Sequence, residues 1–187
     1  MRTDSRIAEE CVADGGGQPA TASPARQCGT YTLCCKLIEV AELDKPQNVW
    51  CSHCAPGKGC RIYEQRPGNC RSFKCAWLVD MSLGEEWRPD RAKFVIAEEP
   101  GTGRHHIVCE ATAPGAWRRE PFYSVIKSFL KRPGMERQQI VVTTGRKLTL
   151  LVPDGEFDLG EWKKGDRITV KYDQNKRVVD AALEPAT

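Results

Sequence analysis

This chain has little that would mark a common function class. No apolar run approaches the roughly 20 residues needed to span a bilayer. The first residues, MRTDSRIAEECVADGGGQPATASPARQ, hold no apolar core of the kind an export signal carries. The formal net charge is only +3 over 187 residues, and no basic stripe gathers it, so nucleic acid is not an expected partner. Gly-rich phosphate loops, G-x-S-x-G elbows and H-E-x-x-H helices are also missing, which removes the most readable hydrolase and nucleotide-binding signatures. What remains is an ordinary globular composition, 40% hydrophobic and 28% charged.

Cysteine is not scarce. There are ten, and eight of them, Cys28, Cys34, Cys35, Cys51, Cys54, Cys60, Cys70 and Cys75, lie within one short stretch. With no export signal the chain is expected in the cytoplasm. There thiols stay reduced, and clustered cysteines point to metal or redox chemistry rather than structural disulfides. No membrane partner is expected.

The segregation of cysteine divides the chain into three parts. Residues 1–27 read as a flexible leader, small, polar and rich in glycine and proline, with at most a short helix over Ile7–Val12. Residues 28–80 read as a cysteine-rich lobe of turns, with too few apolar residues for a large core. Such a lobe needs a cross-link, and in a reducing compartment a metal supplies it. Residues 81–187 read as an α+β domain. RAKFVIAEE and RHHIVCEAT flank a PGTG turn as a hairpin. Phe122, Val125, Ile126, Phe129 and Leu130 repeat at helical spacing. QQIVVTT, KLTLLV, DRITVKY and RVVDAAL are β-branched runs parted by GR, PDGEFDLGEWKKG and DQNK. The expected fold class is α+β: a metal-stapled lobe with a short helix, then an antiparallel sheet with one packed helix.

The cysteine spacing is C-x5-CC-x15-C-x2-C-x5-C-x9-C-x4-C. Cys51-Ser52-His53-Cys54 is its strongest element, because two intervening residues let both sulfurs face one ion from a tight turn. Pro56, Gly57 and Gly59 bend the chain so that Cys60 returns to the same place. Neighbouring side chains diverge at Cys34-Cys35, which suits ligation of two centres. Cys70 and Cys75 are five apart, about 140° around an ideal helix, so one helix cannot aim both at one ion. Eight thiolates match two four-cysteine sites, and all-sulfur ligation suits zinc first and an iron–sulfur cluster as the alternative. Arg61, Arg66, Arg71 and Lys74 are near in sequence to balance the charge.

CGTYTLCC, with WCSHCAPGKGCRIYEQRPGNCRSFKC, resembles the bacterial CxxCxxCC cysteine-cluster proteins, described as zinc- or iron-chelating and sometimes as iron–sulfur proteins. The resemblance covers about residues 28–78 and implies metal ligation, without a reaction to transfer. It is carried by Cys34-Cys35, by Cys60 before IYE, and by Cys70 and Cys75 in RPGNCRSFKC. The family pattern has cysteine where this chain has Tyr31; Cys51 and Cys54 together make up the count. Tyr31 is expected to pack over the site, and His53 to be exposed or hydrogen-bonded. His105 and His106, as strand neighbours, face opposite ways and are expected on the hairpin surface. Cys109 is expected to be a small buried hydrophobe and Cys11 a tail thiol.

The function expected is therefore a metal-binding structural or scaffold protein. An iron–sulfur electron carrier or oxidoreductase is the main rival, and a nucleic-acid-binding zinc module the weaker one.

Overall fold

A computed structural model describes residues 26–98, 104–131 and 138–186. The leader up to residue 25, Cys11, the PGTG turn and the Pro133-Gly134 stop after the helix lie outside the described residues. The class is α+β, as the alternating apolar patterns require.

The centre is a five-stranded sheet in the order β3 (Phe94–Glu98), β4 (His105–Cys109), β5 (Ile140–Thr144), β6 (Lys147–Val152), β7 (Gly155–Glu161). Three neighbouring pairs are antiparallel, but β4 and β5 run parallel, His105 opposite Ile140. The sheet is thus mixed rather than purely antiparallel. The reason is the helix α5 (Phe122–Leu130): a crossover through a helix returns the chain to the end from which β4 started, so the next strand runs parallel to it.

Strand β7 lies inside PDGEFDLGEWKKG, expected as a connection. Phe157 and Leu159 alternate there with exposed Glu156 and Asp158, but Gly and Asp hide the alternation. A register shift between Leu148 and Thr149 accompanies Gly160, whose φ of 76° a glycine adopts freely. The last two strands, β8 (Arg167–Tyr172) and β9 (Val178–Glu184), pair only with each other.

Period-two alternation sends side chains to both faces of the sheet. Val141 and Leu150, directly opposed, belong with Leu148 and Val152 to a small core that Ile168, Val170 and Leu183 of the terminal hairpin cover. Ile140 and Leu151, the next pair, face the larger core. That core holds Phe122, Ile126 and Leu130 of α5, as their spacing predicted, whereas Val125 is exposed. Trp87, Phe94 and Phe122 meet edge-on, with ring centroids 4.8, 5.1 and 6.2 Å apart. Such contacts add about 0.5–1.5 kcal/mol each beyond burial.

The same core contains Leu33, Leu37, Cys75 and Trp77 from the cysteine-rich stretch. Leu37 ends the one-turn helix α1 (Cys34–Leu37) and is fully buried. The hydrophobic cluster is therefore continuous across residue 80. The shortage of apolar residues in residues 28–80 is met by sharing the core of the sheet.

The short helix expected over RPGNCRSFKCAWLVDM is broken in two, α2 (Gly68–Ser72) and α3 (Ala76–Val79). Phe73 and Cys75 between them are extended, with ψ of 124° and 156°. The break turns Cys70 and Cys75 toward different surroundings. A fourth one-turn helix, α4 (Pro89–Ala92), starts with proline in its first turn and leads into β3. Among the described residues no helix is long and apolar enough to cross a membrane.

Candidate metal centre

Seven of the eight clustered cysteines line one cavity of about 660 Å³: Cys28, Cys34, Cys35, Cys51, Cys54, Cys60 and Cys70. Cys75 stands beside it in a smaller pocket with Trp77 and Trp87, near enough to Cys28 to affect that thiol's ionisation. All are free thiols. Cys109 lies apart, fully buried in β4 among sheet residues, with burial pushing its thiol up to about 12. Seven of the eight thus share one cavity wall, whereas Cys75 and Cys109 lie outside it.

Each thiol is brought in by a local device. Cys34 and Cys35 open α1, whose short length leaves both half-buried at the cavity wall. Cys51 is tied to this pair through the backbone, its N–H donating to the Cys35 carbonyl at 3.1 Å. The CSHC turn closes when the Cys54 N–H donates to the Cys51 carbonyl at 3.0 Å. Cys54 then enters β1 (Cys54–Ala55), which pairs antiparallel with β2 (Gly59–Cys60). In the connection Lys58 N–H donates to the Ala55 carbonyl at 2.9 Å, and Gly57 has a φ of 73°. That is a type II turn, with proline second and glycine third. Thr32 anchors the hairpin from behind: its hydroxyl accepts from the Gly57 N–H at 3.1 Å and hydrogen-bonds the Cys54 sulfur.

The cavity raises the cost of ionising these thiols. A hydrogen bond with Cys34, then burial, drives Cys35 far above the usual thiol range, although Cys54 and Lys45 pull it back. Burial first, and Cys35 next, hold Cys54 up at about 11. Cys28 and Cys70 are also raised, burial leading in both. Without a compensating cation these thiols are protonated at neutral pH.

One cation is already built in. Lys45 is only 5% exposed, and its ammonium donates to the carbonyl oxygens of Lys36, at 2.8 Å, and Ile38 at the end of α1. Burial lowers its pKa, while Cys51, Cys35, Cys34 and Cys70 act to raise it. Of the basic residues picked out in the sequence, Arg66 and Lys74 line the cavity. Arg66 also stacks on Tyr63, 3.6 Å from the ring centroid. Lys45 gave no sequence signal, because KPQNVW reads only as a turn. A lysine buried beside several cysteines becomes visible only once the chain is folded.

Tyr31 packs over the site as expected, its ring edge-on to Trp77 at 5.0 Å and its hydroxyl donating to the Gln27 carbonyl. Burial, then Cys28, push its phenol far upward. His53 lines the cavity half-buried. His105 and His106 differ from the surface positions expected of them. His105 forms part of the far wall with Ile96, Ala97 and Glu98 and packs on Phe129, ring centroids 4.8 Å apart. His106 Nε2 lies 3.1 Å from the Thr143 hydroxyl. They face opposite ways, as strand neighbours must.

Among the described residues, no three or more His, Cys, Asp or Glu side chains stand together as a group able to hold a metal ion. The thiols surround the cavity rather than converging on a point. No family model, curated protein or solved structure matches the chain.

Proposed function

We propose that the protein binds metal through the thiolates of this cavity and serves as a structural or scaffold metal protein of the cytoplasm. One observation carries the reading: seven cysteines from separate turns and helices line a single cavity. The donor chemistry suits a soft ion, and zinc is the first choice for an all-thiolate set. Cys35 and Cys51 each act on the ionisation of both Cys54 and Cys70, which makes these four the first donors to consider. Zn–S bonds are about 2.3 Å long, so binding draws these sulfurs inward from the cavity wall. Because Cys35, Cys54 and Cys70 start protonated, binding also releases protons, and the ammonium of Lys45 offsets part of the negative charge left behind.

The width of the cavity favours a second reading. A space of about 660 Å³ with apolar walls from Ile38, Val40, Leu43 and Phe73 exceeds the needs of one ion. It suits an iron–sulfur cluster, and with it an electron-transfer protein or an oxidoreductase.

Anaerobic purification followed by metal analysis and a visible spectrum separates these readings. Zinc bound near stoichiometry by a colourless protein supports the first. Brown protein absorbing in the visible supports the second. Protein that holds neither metal, even after reconstitution under reducing conditions, refutes both.

A further inference from the structure

The hairpin that carries Cys54 and Cys60 places them as a cross-strand pair. Cys54 is directly opposite Cys60 in the β1–β2 ladder. One step outward, the Arg61 N–H donates to the His53 carbonyl at 2.9 Å, so His53 and Arg61 form a hydrogen-bonded pair. Such pairs alternate with non-hydrogen-bonded ones, which makes Cys54–Cys60 the closer kind, with Cα atoms typically about 4.5 Å apart and both side chains on one face. Disulfides span Cα separations of about 4.4–6.8 Å. The type II turn and the Thr32 anchor hold the register. Both thiols are free and line the same cavity. Cys60 is partly exposed and Cys54 is buried.

We propose that Cys54 and Cys60 form a reversible intrachain disulfide, a redox switch that withdraws two sulfur donors from the cavity. The pairing stands on the hairpin alone; its effect on metal rests on the thiolate reading given above. The oxidant is a peroxide. The Cys60 thiolate attacks one peroxide oxygen, the O–O bond breaks, and the departing oxygen leaves as hydroxide or alkoxide and takes up a proton. Cys60 is then a sulfenic acid. Cys54 attacks the Cys60 sulfur as its thiol proton passes to the departing hydroxide; the S–S bond forms, the S–O bond breaks, and water leaves. Two thiols are oxidised, one peroxide is reduced, and a dithiol reverses the bond by exchange.

The sequence makes the test direct, because Lys58 lies between the two cysteines and trypsin cleavage there separates their peptides. Full-length protein is treated with limiting hydrogen peroxide, alkylated, digested and mapped by mass spectrometry. The expected first product joins the peptide of residues 37–58, which carries Cys51 and Cys54, to that of residues 59–61, with fragmentation placing the bond on Cys54. Two alkylatable thiols per chain are lost and are restored by dithiothreitol, and a bond on Cys51 overturns the proposal. Cys109→Ser, outside the cavity, should form the same cross-link at the parental rate, and Cys60→Ser should not form it. A first cross-link from Cys54 to Cys35, or from Cys60 to Cys70, overturns the proposal, as does irreversible oxidation of single cysteines alone. A zinc-loaded sample should lose zinc in step with the cross-link, and full retention of zinc by cross-linked protein overturns the switch. Protein that never takes up zinc yet forms the Cys54–Cys60 bond refutes the zinc reading and leaves the pair standing.

Discussion

The ammonium of Lys45 donates to the carbonyl oxygen of Lys36 at 2.8 Å, fastening the helix that begins with Cys34 and Cys35. One buried cation thus caps a helix end, where the chain leaves carbonyls unpaired, and stands next to a set of thiols. Lys45→Met keeps much of the volume and removes the charge. It should cost about 1–3 kcal/mol, the penalty of leaving buried acceptors without a donor. If the charge also serves the thiols, the variant should bind zinc more weakly than its loss of stability explains. Denaturant unfolding of the metal-free protein and a competitive zinc titration measure the two effects separately.

Cys54→Ser exchanges a soft thiolate donor for a hydroxyl that stays neutral at physiological pH. Metal content should fall, and limited proteolysis should cut the variant faster between about residues 28 and 80 than the parent. Cys109→Ser, outside the cavity, should keep full metal content and lose only about 1–3 kcal/mol for a hydroxyl in an apolar pocket. Equal metal content in Cys54→Ser and the parent removes Cys54 from the ligand set.

Leu37 is fully buried in the core that also holds Phe94, Ile107 and Leu130. Leu37→Ala should cost about 2–5 kcal/mol. Because that core is continuous, unfolding in urea should remain one transition reported alike by probes in the cysteine-rich stretch and in the sheet. Two separated transitions would show that the two parts fold independently.

Burial holds the His105 pKa below the ordinary imidazole value, against the pull of Glu98 opposite it. With the folded pKa the lower one, the unfolded chain binds more protons near and below pH 6.5. Stability should therefore be level above that range and fall as pH drops through it toward the folded value. His105 is partly exposed, so solvent screening keeps the effect below about 1 kcal/mol. His105→Gln should flatten that part of the stability profile, read by urea midpoints at a series of pH values.

Much of this was legible in residue order. The helix over Phe122–Leu130, the β3–β4 and β5–β6 hairpins and the gathering of thiols follow from local periodicity and spacing. The parallel β4–β5 pair was not, since strand direction depends on the path of the connection rather than on either strand's pattern. Strand β7 was hidden because Gly155, Asp158 and Gly160 are turn formers at positions where the sheet tolerates them. The broken helix around Phe73 escaped because nothing in SFKCAW forbids one continuous turn. At the candidate site, the cysteines announced themselves, whereas Lys45 and His105 reach the cavity only through tertiary packing.

The far wall of the cavity belongs to the sheet, through Ile96, Ala97 and Glu98 of β3 and His105 of β4. A guest large enough to fill the space would touch both the thiol-bearing turns and the sheet at once. Occupancy and folding become a single equilibrium. A guest that binds only the folded chain, at a free concentration a hundred times its dissociation constant, adds about 2.7 kcal/mol to stability. The melting temperature of this protein should then track the supply of its guest, making thermal stability a reporter of occupancy across the whole chain.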